Sequence, residues 1–477
     1  LNRRNFKSQI SGVKNFAKTG AFVTFKNDGP MIFQGIDTLT LDESQTKVTL
    51  GDAGLFNREP QNLVIAEKAY QYGSSQSKLG VISTPAGIFY ISQNQGKIFT
   101  YSDGINEISQ AGMKWWFDQF LPAKLLIDFP DYPHVDNPVA GIGCQAIYDN
   151  ENSILFFSKT DYKLKDVDGS GNVLPGNVVF INTGKGSYFQ LTIKDPSGKP
   201  TGTVNYPLGH PDIFEDASWT ISYDPKTRYW VSFHDWHPDL TIPTIGGIVS
   251  SKKDSLYIHN TECNDYCNYY GVQYPFEIEF PIKTGQTITT LRSIEYILEC
   301  YRRDRNYCVD QFNVLDYNFD HAVLYNTDQV SGYLNLNIFP KNNVVLSEQY
   351  PRLNQSNLSS FDILFSKEEH KYRFNQFWDV TKNRGEFPNG SDYPPTGPVI
   401  PGTTVLQGNY DEEKIWITQA NGYIKSLNPL NLDYNKSQTQ RKKFRNYINF
   451  LKLIKTDSRS TNMIVKIINS KHQISPR

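Results

Sequence analysis

Three stretches of the sequence share one form, and that form limits what the chain can fold into. "AIYDNENSILFFS" carries Tyr148-Asp149, four turn residues, then apolar Ile154, Leu155 and Phe156. "ISYDPKTRYWVSF" carries Tyr223-Asp224, four turn residues, then Tyr229, Trp230 and Val231. "LTLDESQTKVTL" carries Leu41-Asp42, four residues, then Lys47, Val48 and Thr49. Each reads as strand, Asp-headed turn, strand, because an Asp carboxylate accepts backbone N–H groups two residues further on. Repetition of such antiparallel units points to a β-propeller or a related all-β array, although a sandwich yields similar strand spacing.

The surrounding sequence keeps the same rhythm. "AFVTF" leads to the turn "NDGP", and "MIFQGIDTLTL", "TKVTL" and "NLVIA" follow. Residues 79–104, "LGVISTPAGIFYISQNQGKIFTYSDG", read as three strands joined by Pro-Ala-Gly and Asn-Gln-Gly turns and closed by Asp103-Gly104. One helix interrupts, near 109–121. Ser109 is its expected cap and Pro122 its stop, with Met113, Trp116, Phe117 and Phe120 on one face.

Beyond residue 260 the runs "FEIEF", "SIEYILECYRR" and "GYLNLNIF" announce a second β region. "KYRFNQFWDVTKN" reads as a short helix with Phe374, Phe377 and Trp378 inward. A surface loop, "EFPNGSDYPPTGPVIPGTT", precedes a basic tail whose runs "INFLKLIK" and "NMIVKIIN" fit a hairpin, with a helix for the first run as the alternative. The expected fold is mainly β with few short helices. It divides into propeller-like antiparallel blades over 1–260, a further β domain over 261–395, and the loop with its basic β segment over 396–477.

Composition agrees and narrows function. At 477 residues two or three domains are expected. Tyr and Phe stand at 29 each against 3 Met, which favours sheets. A net charge of −1 gives no global pull toward nucleic acid or membrane, and no apolar run is long enough to cross a bilayer. Cys144, Cys263, Cys267, Cys300 and Cys308 form no disulfide framework and are expected as reduced thiols. A start at "LNRRNFKSQI", without Met, suggests a processed product of a longer precursor.

Four groups of residues invite chemistry. His234, Asp235, His237 and Asp239 fall within six positions. Strand alternation would send His234 and Trp236 to one side and Asp235 and His237 to the other, splitting a ligand set unless a turn regroups them. A structural or interface role for His234, Trp236 and His237 is therefore preferred. Cys263-x3-Cys267 with Cys300-x7-Cys308 matches no usual zinc pattern. "DVDGSGNV" begins like a calcium loop, with Asp166, Asp168, Ser170 and Gly171, but Asn177 stands where a bidentate Glu should close it. A Gly-rich hairpin tip is the preferred reading. Glu277 and Glu279 share a strand face and are read as solvated. Arg441, Lys442, Lys443 and Arg445 form a basic cluster better suited to docking on a neighbouring subunit than to DNA. No catalytic residue and no cofactor are expected.

Four longer strings carry a resemblance: "SWTISYDPKTRYWVSFHDWHPD", "KYRFNQFWDVTKNRGEF", "NGYIKSLNPLNLDYNKSQTQRKKFR" and the terminal "SPR". Together they resemble the tail muzzle proteins (also called nozzle or stabilization proteins) of crAss-like bacteriophages, over most of the chain. The resemblance implies a non-enzymatic virion protein at the distal end of a short tail, assembled in the bacterial host cytoplasm. It implies a ring of copies, a hexamer, around the DNA exit channel. Its implied partners are other tail proteins, transiently the genomic DNA, and the remaining part of its own precursor. The alternative from composition is a cell-surface adhesin or glycan-binding β protein.

Overall fold

The computed structural model describes residues 5–16, 20–34, 37–40, 47–50, 59–63, 73–102, 104–168, 170–183, 186–244, 247–259, 267–283, 288–303, 310–311, 319, 321–326, 329–332, 334–336, 344–345, 364–368, 371–375, 377–379, 442–455 and 463–475. The fold is mainly β, built of small antiparallel sheets. Two compact units, Leu1–Thr261 and Glu262–Arg477, divide the chain. Among the described residues every sheet is open, so the propeller expectation rests on blade size alone.

The first unit begins with β1 (Ile10–Phe16), β2 (Gly20–Phe25) and β3 (Met31–Gln34), a hairpin of β4 (Asp37–Thr40) and β5 (Lys47–Leu50), and β6 (Gln61–Asn62), which pairs with β3. Next comes a meander of β7 (Val81–Thr84), β8 (Gly87–Ser92), β9 (Lys97–Tyr101) and β10 (Ile105–Glu107). The expected three strands are present, and the Gly104 turn leads into a fourth. Gly87 holds φ at +137°, and a Cβ there would lie 2.6 Å from the Tyr101 carbonyl, so the Pro-Ala-Gly turn needs its glycine.

Helix α1 (Gln110–Phe120) follows, then α2 (Leu125–Asp128). The expected cap does not form. Ala111 and Gly112 break the helical backbone, and Ser109 instead donates its hydroxyl to Glu107 at 2.9 Å and accepts the Ile98 N–H at 3.3 Å. The apolar face is used as expected. Trp116 and Phe117 are buried against the sheet behind them, with ring centroids 4.9 Å apart for Trp116–Trp219 and 4.7 Å for Phe117–Trp230.

That sheet runs β11 (Gly143–Asp149), β12 (Ile154–Thr160), β18 (Trp219–Asp224), β19 (Tyr229–His234). Both Asp-headed turns in it form as read from the sequence. Asp149 accepts the Glu151 N–H at 3.0 Å, and Asp224 accepts the Lys226 N–H at 2.8 Å. The third, at Asp42, lies outside the described residues, between the paired β4 and β5.

Between β12 and β18 the chain leaves the sheet as a ribbon of β13 (Tyr162–Leu164) and β17 (Phe214–Asp216), carrying a three-stranded sheet of β14 (Val178–Asn182), β15 (Ser187–Lys194) and β16 (Pro200–Tyr206). This insertion shares a core with the α2 region, where Phe129, Tyr132, Phe189, Leu191 and Phe214 pack together. The unit closes with β20 (Leu240–Thr244), β21 (Gly247–Lys252) and β22 (Ser255–Ile258).

An ion pair locks the neck of the insertion. Lys159 lies near the end of β12 and its Nζ lies 2.6 Å from Asp161 Oδ2, both side chains fully buried. The ammonium also donates to the Phe120 and Pro122 carbonyls at 2.8 Å each, at the end of α1. The carboxylate accepts the Lys124 and Leu125 N–H groups at the start of α2, at 2.6 and 3.3 Å, and the Tyr162 N–H at 2.9 Å. The Asp161 backbone bonds Ala217 and Ser218 across the neck. Charges removed from water survive only when paired and fully hydrogen-bonded, and these are.

The second unit opens with β23 (Asn268–Tyr269) and β24 (Val272–Gln273), followed by β25 (Phe276–Lys283) and the long β26 (Thr289–Arg303). β27 (Asp310–Gln311), β28 (His321–Tyr325), β29 (Leu334–Asn335), β30 (Val344–Val345), β31 (Leu364–Glu368) and β32 (Lys371–Asn375) come next. β33 (Arg445–Asn446), β34 (Ile448–Lys455) and β35 (Met463–Ser475) end it. One sheet runs β25-β34-β28-β29. The other is organised on β26, which pairs with β27, β32, β33 and β35. Leu291, Tyr296, Leu324, Leu451 and Phe444, drawn from both sheets and the segment beside them, are among the unit's core residues.

Three expectations change here. "KYRFN" is strand β32, paired with β31 and β26, although Phe377 and Trp378 are buried as expected. Helical spacing of three aromatics yields to sheet pairing, with Tyr372 stacked on Tyr296 at 5.4 Å. The tail runs are both strands but not one hairpin. β34 is flanked by β25 and β28, which leaves β35 to pair with β26. The near-continuous burial of β34 marks it as a central strand. Glu277 is not simply solvated, because it ion-pairs with Lys452, a buried ammonium of β34 that needs a counter-charge.

Asp161→Ala is expected to lower the stability of the first unit by about 3–5 kcal/mol, because it strands the buried Lys159 ammonium. Urea unfolding followed by tryptophan fluorescence reads this directly. A loss under about 1 kcal/mol, the scale of a surface pair, would remove the ion pair from its structural role.

Candidate functional site

The histidine motif is the place to test for chemistry. β19 ends at His234, so strand alternation does not continue and residues 235–239 form the connection to β20. That turn brings His234 and His237 to the same strand, β18. His234 Nε2 lies 3.0 Å from Ser222 Oγ, and His237 Nδ1 lies 3.4 Å from Thr220 Oγ1. Trp236 is buried between Phe156, His234 and His259, its ring centroid 5.4 Å from that of His259 in a stacked contact. Phe156 also meets His234 at 5.2 Å, so the expected pairing of His234 with Trp236 on one side is found.

These contacts argue against a nucleophile and its base. Ser222 is buried, with the Ser232 carbonyl also within reach of its hydroxyl at 3.3 Å, which leaves it little access for a substrate. No three His, Cys, Asp or Glu side chains among the described residues are placed to share a metal ion. Burial pushes the His234 imidazole down to about 4, with His237 adding to the effect. Burial likewise takes His237 to about 4, against the pull of Asp216. Both rings are neutral at physiological pH.

The far side of the same turn opens on a cleft of about 180 Å³ at the neck of the insertion. Tyr162, Asp216, Ser218, His237, Asp239 and Lys252 supply its polar wall, and Val139 and Leu208 are among its apolar residues. Lys252 donates to the His237 carbonyl at 2.7 Å and to Asp239 at 3.0 Å. Asp239 also accepts the Lys253 N–H at 2.7 Å. Burial, with Asp216 and Asp239 nearby, pushes the Tyr162 phenol up to about 12, so it stays a donor. Gly209 presses on this ring, and a Cβ there would come within 2.7 Å of Tyr162 Cε1.

The other candidates fall elsewhere. In the calcium-like string, Asp168 turns its carboxylate onto its own loop. Oδ1 accepts the Ser170 and Asn172 N–H groups at 2.8 Å each, and Oδ2 accepts Asn172 Nδ2 at 2.8 Å. Partial burial disfavours its charge, but the bonds from Asn172 and Ser170 outweigh it and hold the carboxyl below its usual range. The backbone carbonyl of Asp166 accepts the Leu174 N–H at 3.0 Å, completing a hairpin tip. Lys442, Lys443 and Arg445 are exposed around buried Phe444, their backbone fixed by bonds to Asp379 and Gln329, whereas Arg441 lies outside the described residues. Cys144 is a thiol whose burial pushes it up to about 12, which makes it unreactive, and neither it nor Cys267 forms a disulfide among the described residues. Cys263 and Cys308 lie outside the described residues, as does the side chain of Cys300.

Sequence reasoning missed Tyr162, Asp216 and Lys252. Each lies in an ordinary strand or at its end, and only the folding of the insertion neck assembles them. No protein-family model matches the chain, and no curated protein is similar to it.

The histidines set a pH dependence. Their folded-state values lie below the ordinary value near 6.5, so the unfolded chain binds protons that the folded chain refuses. Their contribution is intact above pH 6.5 and is lost as pH falls toward 4, by up to about 3 kcal/mol for each ring. Urea unfolding at pH 7 and pH 4.5 is expected to show this loss, reduced in His234→Gln/His237→Gln. An identical loss in the double variant would place the acid sensitivity elsewhere.

Proposed function

We propose that the chain is a non-enzymatic structural component of a short-tailed phage virion, part of the distal tail muzzle around the DNA exit channel. It assembles there as a ring of copies, in contact with other tail proteins. In this reading the four-stranded sheets are blades of a propeller-like part.

One observation carries the reading. Among the described residues, two edge strands of the first unit present large apolar side chains to solvent. On β19, Tyr229 is 72 % and Val231 57 % exposed; on β22, Leu256 is 68 % and Ile258 62 % exposed. Edge strands of monomeric proteins are ordinarily guarded by charge, proline or a covering element, because their free backbone groups recruit other chains. Bare apolar edges are suited to burial between subunits. The inward commitment of the histidine motif supports the non-enzymatic part, and the near-neutral charge suits a channel that DNA must leave, since phosphate binding grows with Lys and Arg contacts. The long resemblance strings supply the virion context.

Purified virions of the phage that encodes the chain are expected to contain it in several stoichiometric copies, read by quantitative mass spectrometry. The isolated chain is expected to form a ring in sedimentation and electron micrographs, and Val231→Glu/Leu256→Glu to remain monomeric and folded. Absence from virions, or a ring that ignores the double variant, would defeat the proposal.

A further inference from the structure

The cleft at the insertion neck has unused hydrogen-bonding capacity of both kinds. Among the described residues the Tyr162 hydroxyl has no partner, and the His237 imidazole has none beyond Thr220. Asp216 spends Oδ1 on the Ser218 N–H at 2.9 Å, and its Oδ2 has no partner among the described residues. Lys252 uses two of its three donors. Donors and acceptors therefore line one small space, together with apolar residues that include Val139 and Leu208.

Charge and size select the ligand. With Asp239 paired to Lys252, Asp216 leaves a net negative wall that disfavours an anion, and no three His, Cys, Asp or Glu side chains among the described residues are placed to share a metal ion. An apolar guest would strand the unpaired polar groups. At about 180 Å³ the space holds on the order of six waters, too small for a drug-sized ligand. A single sugar ring answers every condition. It offers hydroxyls that both donate and accept, carries an apolar C–H face, and has no charge.

We propose that this cleft binds one neutral monosaccharide unit, either free or at the end of a glycan chain. The Asp216 carboxylate accepts a ligand hydroxyl, the Tyr162 phenol and Lys252 donate to ligand oxygens, and His237 completes the polar wall. Gly209 leaves room for the Tyr162 ring, where a Cβ would collide with it. The rigid neck, closed by the bonds from Asp161 to Ala217 and Ser218, fixes the distance between Tyr162 and Asp216 before any ligand arrives. Preorganisation of that kind lowers the ordering cost of binding. The site does not depend on ring assembly, so failure of one reading leaves the other standing.

Ligand-observed NMR and calorimetry on the full chain test it, with glucose, galactose, mannose, N-acetylglucosamine and glucuronate as probes. At least one neutral sugar is expected to bind saturably, one per chain, with glucuronate excluded. Asp216→Asn is expected to weaken that sugar about tenfold, the loss of a charge-assisted hydrogen bond. Tyr162→Phe, which keeps the ring against Gly209, should also weaken it several-fold, with the unfolding midpoint of both variants unchanged. If no neutral sugar saturates the chain, if glucuronate binds as well as the neutral sugars, or if affinity survives both variants, the proposal fails.

Discussion

The buried pair of Lys159 and Asp161 is the constraint on which the first unit turns. It stands where the chain leaves a four-stranded sheet to build an insertion and returns to it. One ammonium holds the end of α1, and one carboxylate holds the start of α2 and the first residue of β13. Trp219 adds its indole N–H to the same Phe120 carbonyl at 3.0 Å, which ties the aromatic face of α1 to β18. Without this junction neither the aromatic layer behind α1 nor the cleft at the neck would have a fixed geometry. Stability and site share one cause.

The histidine motif shows how a sequence that looks catalytic is spent on packing. His234 and His237 turn to hydroxyls of β18, and Trp236 fills the space between Phe156 and His259. Burial keeps both rings neutral. Among the outward-facing features are the apolar edges of β19 and β22 and a small polar cleft. We propose the first for contact with other protein and the second for a hydroxylated ligand.

Much of this was legible in the residues. Asp149 and Asp224 head turns because their carboxylates bond the backbone two residues on, a local rule that needs no tertiary context. The face of Trp116 and Phe117 was readable from spacing, whereas the cap at Ser109 was not, because Gly112 at φ +75° breaks the backbone before the helix settles. The strand at "KYRFN" and the separate partners of β34 and β35 depend on pairings between distant segments, which periodicity within one segment does not contain. The cleft was invisible for the same reason: Tyr162, Asp216, His237 and Lys252 are scattered along the chain and come together only when the insertion closes its neck.

The central claim is that β19 and β22 are interfaces between subunits. Hydrogen–deuterium exchange of the assembled particle against the dissociated chain tests it most directly. Assembly is expected to slow amide exchange strongly over residues 229–234 and 255–258, with the buried strand β12 unchanged. Equal exchange at those two edges in both states would contradict it.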